Sequence, residues 1–517
     1  MNVLLPLSVG KFFEILYHEQ SAKGRLIDLL AVDINDIPSF FIGFFILILL
    51  RGVFGFFQVY LTSLAGERFV SQIRFDLFKS QLTMSLKHFE KRHISRHLQK
   101  YAGDMRYFNR WITKGLIGGP VDFLILVFSF FALAQISLFT TVGLLISVLI
   151  IGTIMFFVSQ MISSSTKNKS NVRGRLMQFV TDRLQGIQSV KFFNKEFVEL
   201  GRFKELDQKF EKVSNGNNKR QAFLESVVPV FFFITISVVL WLTFIDTQVS
   251  SPSNAFTFIL VLLYLQGPFK RLLRIPITWR QAKEAFSSYN RIVDQPRERR
   301  ANKEVIDTTS GAIQFSSVEI VLNEESLLAN FSASIPFNSI AFIQSEKAEL
   351  RSKFLRIFGG VESPSSGEVS INGKPFCDFN PYQLRKTFTF VSEELPLVGE
   401  TILEAISFYA TEEKVEKVKR VLNSLGFKDD LLDSPIRSIG DNRYSGLNAS
   451  DLLKLSFARA ILTSKNVIIL DNPFQGVADS EVKALCEVLH DLKKNRTIVL
   501  IAPTCPSYLH VNNRISL

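Results

Sequence analysis

Cysteine is scarce: Cys377, Cys486 and Cys505 are the only three in 517 residues. They show neither metal-ligand spacing nor even pairing. That excludes a disulfide framework and points to a reducing, cytoplasmic compartment for the part of the chain that holds them. Metal is not expected either. His88, His93 and His97 lie close in sequence, but no carboxylate or cysteine completes a ligand set at a fitting spacing. The N-terminal stretch MNVLLPLSVGKFFEIL lacks a basic leader and a small-residue cleavage site, so a removed signal peptide is not expected. Acid is in deficit, with 48 Asp and Glu against 60 Lys and Arg, a formal net charge of +12. No basic helix is interleaved with stacking aromatics, so nucleic acid is not an expected partner. The surplus fits Lys and Arg gathered on the cytoplasmic side of a lipid bilayer.

Apolar residues are plentiful. They make up 47% of the chain, and many of the 50 Phe stand as FF or FFF in the first half. A membrane-spanning helix needs about 20 apolar residues. Residues 37–63, 119–137, 138–161, 222–246 and 254–276 meet that need. Residues 1–17 fall short and are either the remainder of a first membrane helix or an interfacial segment. Arg51 lies inside the 37–63 run, where a charge is costly. It should face a bundle interior or a wet cavity, as a packing residue or a substrate contact. Asp122, at the head of the 119–137 run, either pairs with Arg51 or is solvated at its helix end. Between the runs lie two long basic amphipathic stretches, residues 66–114 and 163–220. In the first, Phe69, Ile73, Leu77 and Leu82 recur at helical spacing. Both belong on the cytoplasmic side.

Composition changes after Arg300. A polar linker, residues 301–310, leads into residues 311–517, where strand-like and helix-like segments alternate as in an α/β domain. A strand-like run, Ile340 to Ile343, precedes a loop and an amphipathic helix from Leu350 to Phe358. Strand–loop–helix units of this shape hold phosphate when the loop reads G-x-x-x-x-G-K-[ST]. The glycines let backbone N–H groups close on the phosphates, and the lysine supplies a charge. Here Gln344 and Glu349 stand at the glycine positions, Leu350 at the lysine and Arg351 at the hydroxyl that binds Mg²⁺, with Ser352 following. Glu346 and Glu349 would repel phosphate.

The first 300 residues resemble the transmembrane domain of an ABC exporter half-transporter. The resemblance rests on Glu67-Arg68 with the segment IRFDLFKSQLTMSLKHFEKR, on Gly103-Asp104, on LQGIQSVKFFNKE, and on Tyr289-Asn290-Arg291-Ile292-Val293-Asp294. It implies cytoplasmic turns near His88–Lys100 and Asn215–Lys219 that act as coupling helices. Residues 311–517 resemble the ABC nucleotide-binding domain, a P-loop NTPase fold. The matching frame is Pro364-Ser365-Ser366-Gly367-Glu368-Val369, Ile371-Asn372-Gly373, Ala458-Arg459-Ala460-Ile461 and the run Val467 to Asp471.

The resemblance also implies ATP and Mg²⁺ as cofactors, and it assigns positions. Leu322 stands where an aromatic stacks adenine, and Glu393 where a glutamine senses Mg²⁺ and water. Leu447-Asn448-Ala449-Ser450-Asp451 replaces the signature LSGGQ, with Ser445-Gly446 as a looser alternative. Asp471 is the Mg²⁺-side acid or a scaffold residue. Asn472 replaces the general-base glutamate, and Pro503 the switch histidine. Amide and proline accept no proton at neutral pH.

In the family each ATP sits between one subunit's phosphate loop and the other's signature. The expectation is an ABC-type membrane transport subunit of the cell (inner) membrane, with a cytoplasmic C-terminal domain and little or no ATPase activity alone. It would work in a dimer, a heterodimer with a second half-transporter being favoured. The alternatives are a non-transporting membrane scaffold that keeps the frame for protein contacts, and an ATPase with an unusual loop. The family exports peptides, proteins, lipids, siderophores and drugs, and the substrate is open among them.

Overall fold

The computed structural model describes residues 4–17, 37–90, 94–163, 165–245, 252–298, 312–322, 325–407, 412–427, 432–435, 447–463 and 465–516. The linker at 301–310, His93 and the Ser445-Gly446 alternative lie outside them. The chain forms two units. One comprises Met1–Thr83 and Phe89–Gln295; the other joins Met84–His88 to Pro296–Leu517.

The first unit is helical. α1 is Leu4–Tyr17, α2 Ile37–Thr83, α3 Leu86–Glu90, α4 Ile94–Gln99, α5 Met105–Arg110, α6 Gly118–Ala134, α7 Leu138–Ser163, α8 Ser165–Gln185, α9 Ile187–Phe192, α10 Glu196–Ile245, α11 Pro252–Leu273 and α12 Ile275–Val293. Among the described residues, Ile37–Thr83, Met105–Ala134 and Phe256–Val293 are long and apolar enough to cross a membrane. α2 has 47 residues; at about 1.5 Å per residue it runs on the order of 70 Å, well past one bilayer. Its outer part buries Gly66, Val70, Ile73, Leu77 and Ser80, a stripe at alternating steps of four and three. Leu82, expected on that face, is instead 70% exposed, because the stripe has rotated past it.

The second hairpin differs from expectation. Asn215–Lys219 is not a turn but continuous helix inside α10. The reversal lies at Gly186–Lys195, around the short α9, with Asn194 at φ +50°. Asn and Gly cost a helix only about 0.5–1 kcal/mol each, which long helical flanks override. An asparagine at positive φ closes a tight turn at little cost.

The second unit holds two sheets. Strands β1 (Ile313–Leu322), β2 (Glu325–Ile335), β4 (Ser366–Ile371) and β5 (Lys374–Pro375) make an antiparallel sheet in the order β2-β1-β4-β5. Strands β3 (Ile340–Gln344), β6 (Phe388–Val391), β7 (Val467–Asp471), β8 (Thr497–Ala502) and β9 (Asn513–Ser516) make a parallel sheet in the order β6-β7-β8-β3-β9. The central strands are buried on both faces, as a covered parallel sheet requires. Ala341 and Ile343 face one core, with helix α13 (Ala348–Phe358) contributing Leu350, Phe354 and Phe358. Ile340 and Phe342 face the other, which α15 (Ile402–Ser407), α16 (Glu412–Ser424), α17 (Ala449–Leu462) and α18 (Asp479–Leu492) cover. α14 (Pro381–Thr387) joins β5 to β6. Gly367 explains part of the retained frame. It sits at φ +75°, and a Cβ there would lie 2.2 Å from the Ser317 carbonyl oxygen, so β1 and β4 come this close only at glycine.

Candidate functional site

In an open parallel sheet, ligands gather beyond the carboxyl ends of the strands. Register places the ends of β3, β7 and β8 side by side, with Gln344 opposite Ala502 and Asp471 opposite Ile501; Val391 of β6 pairs with Leu470. The phosphate-loop positions, Asp471, Asn472, Glu393 and Pro503 therefore share one edge of this sheet. Leu322 does not. It ends β1 in the other sheet, half-buried and paired with Glu325.

The loop is not the open cradle its position implies. α13 begins at Ala348, two residues before the expected Leu350, so Glu349 falls in its first helical turn. A glutamate there is favoured by the helix dipole, and Ala, Glu and Leu are strong helix formers where glycine is weak. Leu350, at the lysine position, is 3% exposed and belongs to the apolar core. It turns away from the loop. Gln344, Glu346 and Glu349 are exposed.

Arg351 fills the space. Its Nε donates to Asp471 Oδ1 at 3.2 Å, and its Nη1 donates to the carbonyl oxygens of Ser345 and Glu346 at 3.1 Å each. Ser392 Oγ donates to the other Asp471 oxygen at 2.8 Å. Both members of the ion pair are 12% exposed. Burial pushes the Asp471 carboxyl above its ordinary range, against the opposing pull of the Ser392 hydrogen bond and the Arg351 charge. One cation thus neutralises the acid and ties down two loop carbonyls. Ser352 Oγ donates to Glu394 Oε2 at 3.0 Å, while Glu393 is exposed. Ser392 and Glu394 were not singled out from sequence; the only signal for them was that they flank Glu393.

The remaining positions are equally occupied with local structure. Asn472 stands at φ +42°, its N–H bonded to the Ile501 carbonyl at 2.9 Å and its side-chain amide to Gln475. Pro503 follows β8, half-buried. Leu447 precedes Asn448, the N-cap of α17. Asn448 Oδ1 accepts the Asp451 N–H at 2.8 Å, and Asp451 Oδ2 accepts the Asn448 N–H at 3.1 Å. This capping box closes the helix start that Ala449 opens, using the N–H groups that a phosphate would need. Ser450 Oγ and Lys454 Nζ both bond to Glu481. A Mg²⁺-nucleotide does not fit these residues: glycine is missing from 344–351, the 350 side chain is apolar and turned inward, carboxylates rim the loop, and an arginine holds the acid.

Two features of the helical unit also correct the sequence expectation. Asp122 pairs neither with Arg51 nor with solvent. Arg271, 149 residues away, grips it in two bonds, Nε to Oδ2 at 2.8 Å and Nη2 to Oδ1 at 2.6 Å. Arg51 lies over the Tyr264 ring at 5.8 Å. Asp122 is 8% exposed and Arg271 59%, so breaking the pair strands chiefly the carboxylate. Arg271→Ala, which leaves that carboxylate buried without its partner, should lower stability by about 1.5–3 kcal/mol, read as a lowered melting temperature in detergent micelles. His97, one of the metal candidates, is buried, stacked on Phe89 at 4.6 Å and hydrogen-bonded to Gln81 at 3.2 Å. It packs a helix junction. His88 lies in the first part of α3, which belongs to the other unit.

Known proteins agree with this architecture. Residues 1–269 match the family model for the ABC transporter transmembrane region, and residues 351–475 match that for the ABC transporter domain. An ATP-dependent lipid A-core flippase from Pseudoalteromonas translucida is 25% identical over 480 residues, covering 88% of this chain and 80% of that protein. One from Alkalilimnicola ehrlichii is 22% identical over 517 residues, covering 97% and 83%. The structure of a bacterial Atm1-family ABC exporter with ATP bound superimposes with a TM-score of 0.76 at 13% identity, over 100% of this chain and 92% of that one, a likeness of fold. The chain belongs to the ABC transporter family, as an exporter-type half-transporter in which a helical membrane region is fused to an α/β ABC domain.

Proposed function

We propose that this chain is the non-hydrolysing member of an ABC exporter dimer in the cell (inner) membrane, its C-terminal domain cytoplasmic and its partner a second half-transporter that supplies the working ATP chemistry. The observation that carries this is the Arg351–Asp471–Ser392 network. It occupies the acid and the loop where the family places Mg²⁺ and phosphate. A homodimer would pair the closed loop with the capped signature helix twice and have no competent site. A heterodimer keeps the partner's own phosphate loop. As cargo we propose an amphiphilic lipid, a class drawn from the names of the flippase relatives.

Association has support of its own. Around the tip of the second hairpin, Phe192, Phe193 and Phe197 are 82%, 72% and 87% exposed. Apolar rings this exposed at the end of a helical hairpin mark a contact surface. Phe192→Asp with Phe193→Asp should reduce co-purification of the partner about tenfold or more, a loss equivalent to about 1.4 kcal/mol per tenfold, while the circular dichroism of the chain is retained.

The test is to co-express the chain with a second half-transporter and purify on a tag carried by this chain. The expected complex hydrolyses ATP, loses that activity when the partner's general base is replaced by Gln, and keeps it within about twofold when Asp471→Asn is made here. Robust hydrolysis by this chain alone, abolished by Asp471→Asn, would overturn the proposal.

A further inference from the structure

Two short pieces of chain from the ends of membrane-domain helices meet inside the second unit. Met84, the first residue after α2, forms an isolated antiparallel bridge with Arg297, four residues past the end of α12. Ser85 N–H donates to the Pro296 carbonyl at 3.1 Å. Met84 is 6% exposed, so the bridge is not a passing surface contact.

The next residue, Glu298, is held firmly. Arg385 grips its carboxylate with both arms, Nη1 to Oε2 at 2.6 Å and Nη2 to Oε1 at 3.0 Å. The remaining Arg385 nitrogen, Nε, bonds to the Gly359 carbonyl at 2.9 Å. Gly359 is the C-cap of α13, the helix that follows the phosphate loop. A single planar guanidinium therefore joins the far end of α13 to the segment that leaves α12, and through the Met84–Arg297 bridge to the segment that leaves α2. Only an arginine has the fork for this; a lysine offers one point of charge.

Arg385 is itself fixed. It sits in the last turn of α14, which starts with a capping box: Asn380 Oδ1 accepts the Tyr382 N–H at 2.9 Å, and Gln383 Oε1 accepts the Asn380 N–H at 2.9 Å. Leu384 beside it is 1% exposed. The guanidinium is presented by a rigid element whose partners need little ordering to reach it.

We propose that Arg385 and Glu298 form a clasp that ties the C-terminal end of α13 to the paired segments Met84–Ser85 and Pro296–Arg297, so that displacement of α13 moves both segments together. The clasp uses no nucleotide and no residue of the phosphate loop. It therefore stands or falls independently of whether this domain binds ATP.

The test measures the register of the Met84–Arg297 bridge. The full-length chain, in lipid nanodiscs and carrying Cys377→Ser, receives Met84→Cys and Arg297→Cys. Antiparallel partners stand at a Cα separation that permits a disulfide. Copper-phenanthroline should cross-link this chain rapidly. Arg385→Ala and Glu298→Ala should each slow cross-linking at least fivefold. Glu298→Ala leaves the Arg385–Gly359 bond in place, so it carries the test if Arg385→Ala fails to fold. Unchanged cross-linking in a folded Glu298→Ala protein would overturn the clasp.

Discussion

Arg351→Ala should destabilise the nucleotide-binding domain by about 3–5 kcal/mol, the usual cost of stranding one partner of a buried ion pair. The residue occupies a hydroxyl position in the family, so by sequence its replacement with a small residue looks like repair. The geometry says otherwise. Arg351 is the only cation bonded to Asp471 among the described contacts, and both side chains are 12% exposed. Its loss leaves Asp471 with the Ser392 hydroxyl alone and frees the Ser345 and Glu346 carbonyls that Nη1 had satisfied.

The defect should depend on pH in a stated direction. Burial already raises the Asp471 pKa, and Arg351 opposes that rise. A carboxyl whose folded pKa is raised binds its proton more tightly in the folded state. Its contribution is most favourable below the unfolded pKa and is lost as pH climbs through the raised folded value. Without Arg351 the folded value rises further. Arg351→Ala should therefore melt far below the parent protein near neutral pH and approach it as pH falls toward the carboxylate range. Arg351→Ala with Asp471→Asn should recover much of the lost stability at neutral pH and flatten the dependence. Equal melting of Arg351→Ala and parent at neutral pH would show that the pair carries no weight.

The second large effect is expected from Leu350→Lys, which writes the family's lysine back into the loop. Leu350 is 3% exposed among Phe354, Phe358 and the strand residues of the core. The substitution gives up the burial of a leucine and forces an ammonium to find its way out, a cost of about 2–4 kcal/mol. It should not produce hydrolysis, because Asn472, Pro503 and the capped Asn448 are unchanged. ATP turnover of the purified variant should stay within about twofold of the parent, with a lowered melting temperature. A gain of tenfold or more would mean that the loop re-forms around phosphate.

These consequences were only partly legible in the sequence. The parallel-sheet strands β3 and β7 were, because each is a short apolar run, and so was the frame around Gly367, whose small size is a backbone requirement. Membrane-domain helices were legible as long apolar runs. What sequence could not give were pairings between distant residues. Arg351 and Asp471 are 120 positions apart, and Arg271 and Asp122 are 149 apart; nothing local announces either bond. Arg351 was visible only as a lost hydroxyl, though it is the residue that closes the site. The turn placed at Asn215–Lys219 shows the opposite failure: local composition favoured a break, and fifty residues of continuous α10 carried the helix through it. Ser392 and Glu394 act through partners 79 and 42 positions away, Asp471 and Ser352, which no local pattern reveals.

Equilibrium binding of Mg²⁺-ATP to the purified full-length chain in nanodiscs, followed by a fluorescent nucleotide analogue and by competition with unlabelled ATP, tests the central claim most directly. A closed site predicts no saturable, competable binding up to millimolar nucleotide, the same for the parent chain and for Asp471→Asn. Saturable micromolar binding by the parent that Asp471→Asn abolishes would contradict it, because Asp471 would then be serving nucleotide rather than Arg351.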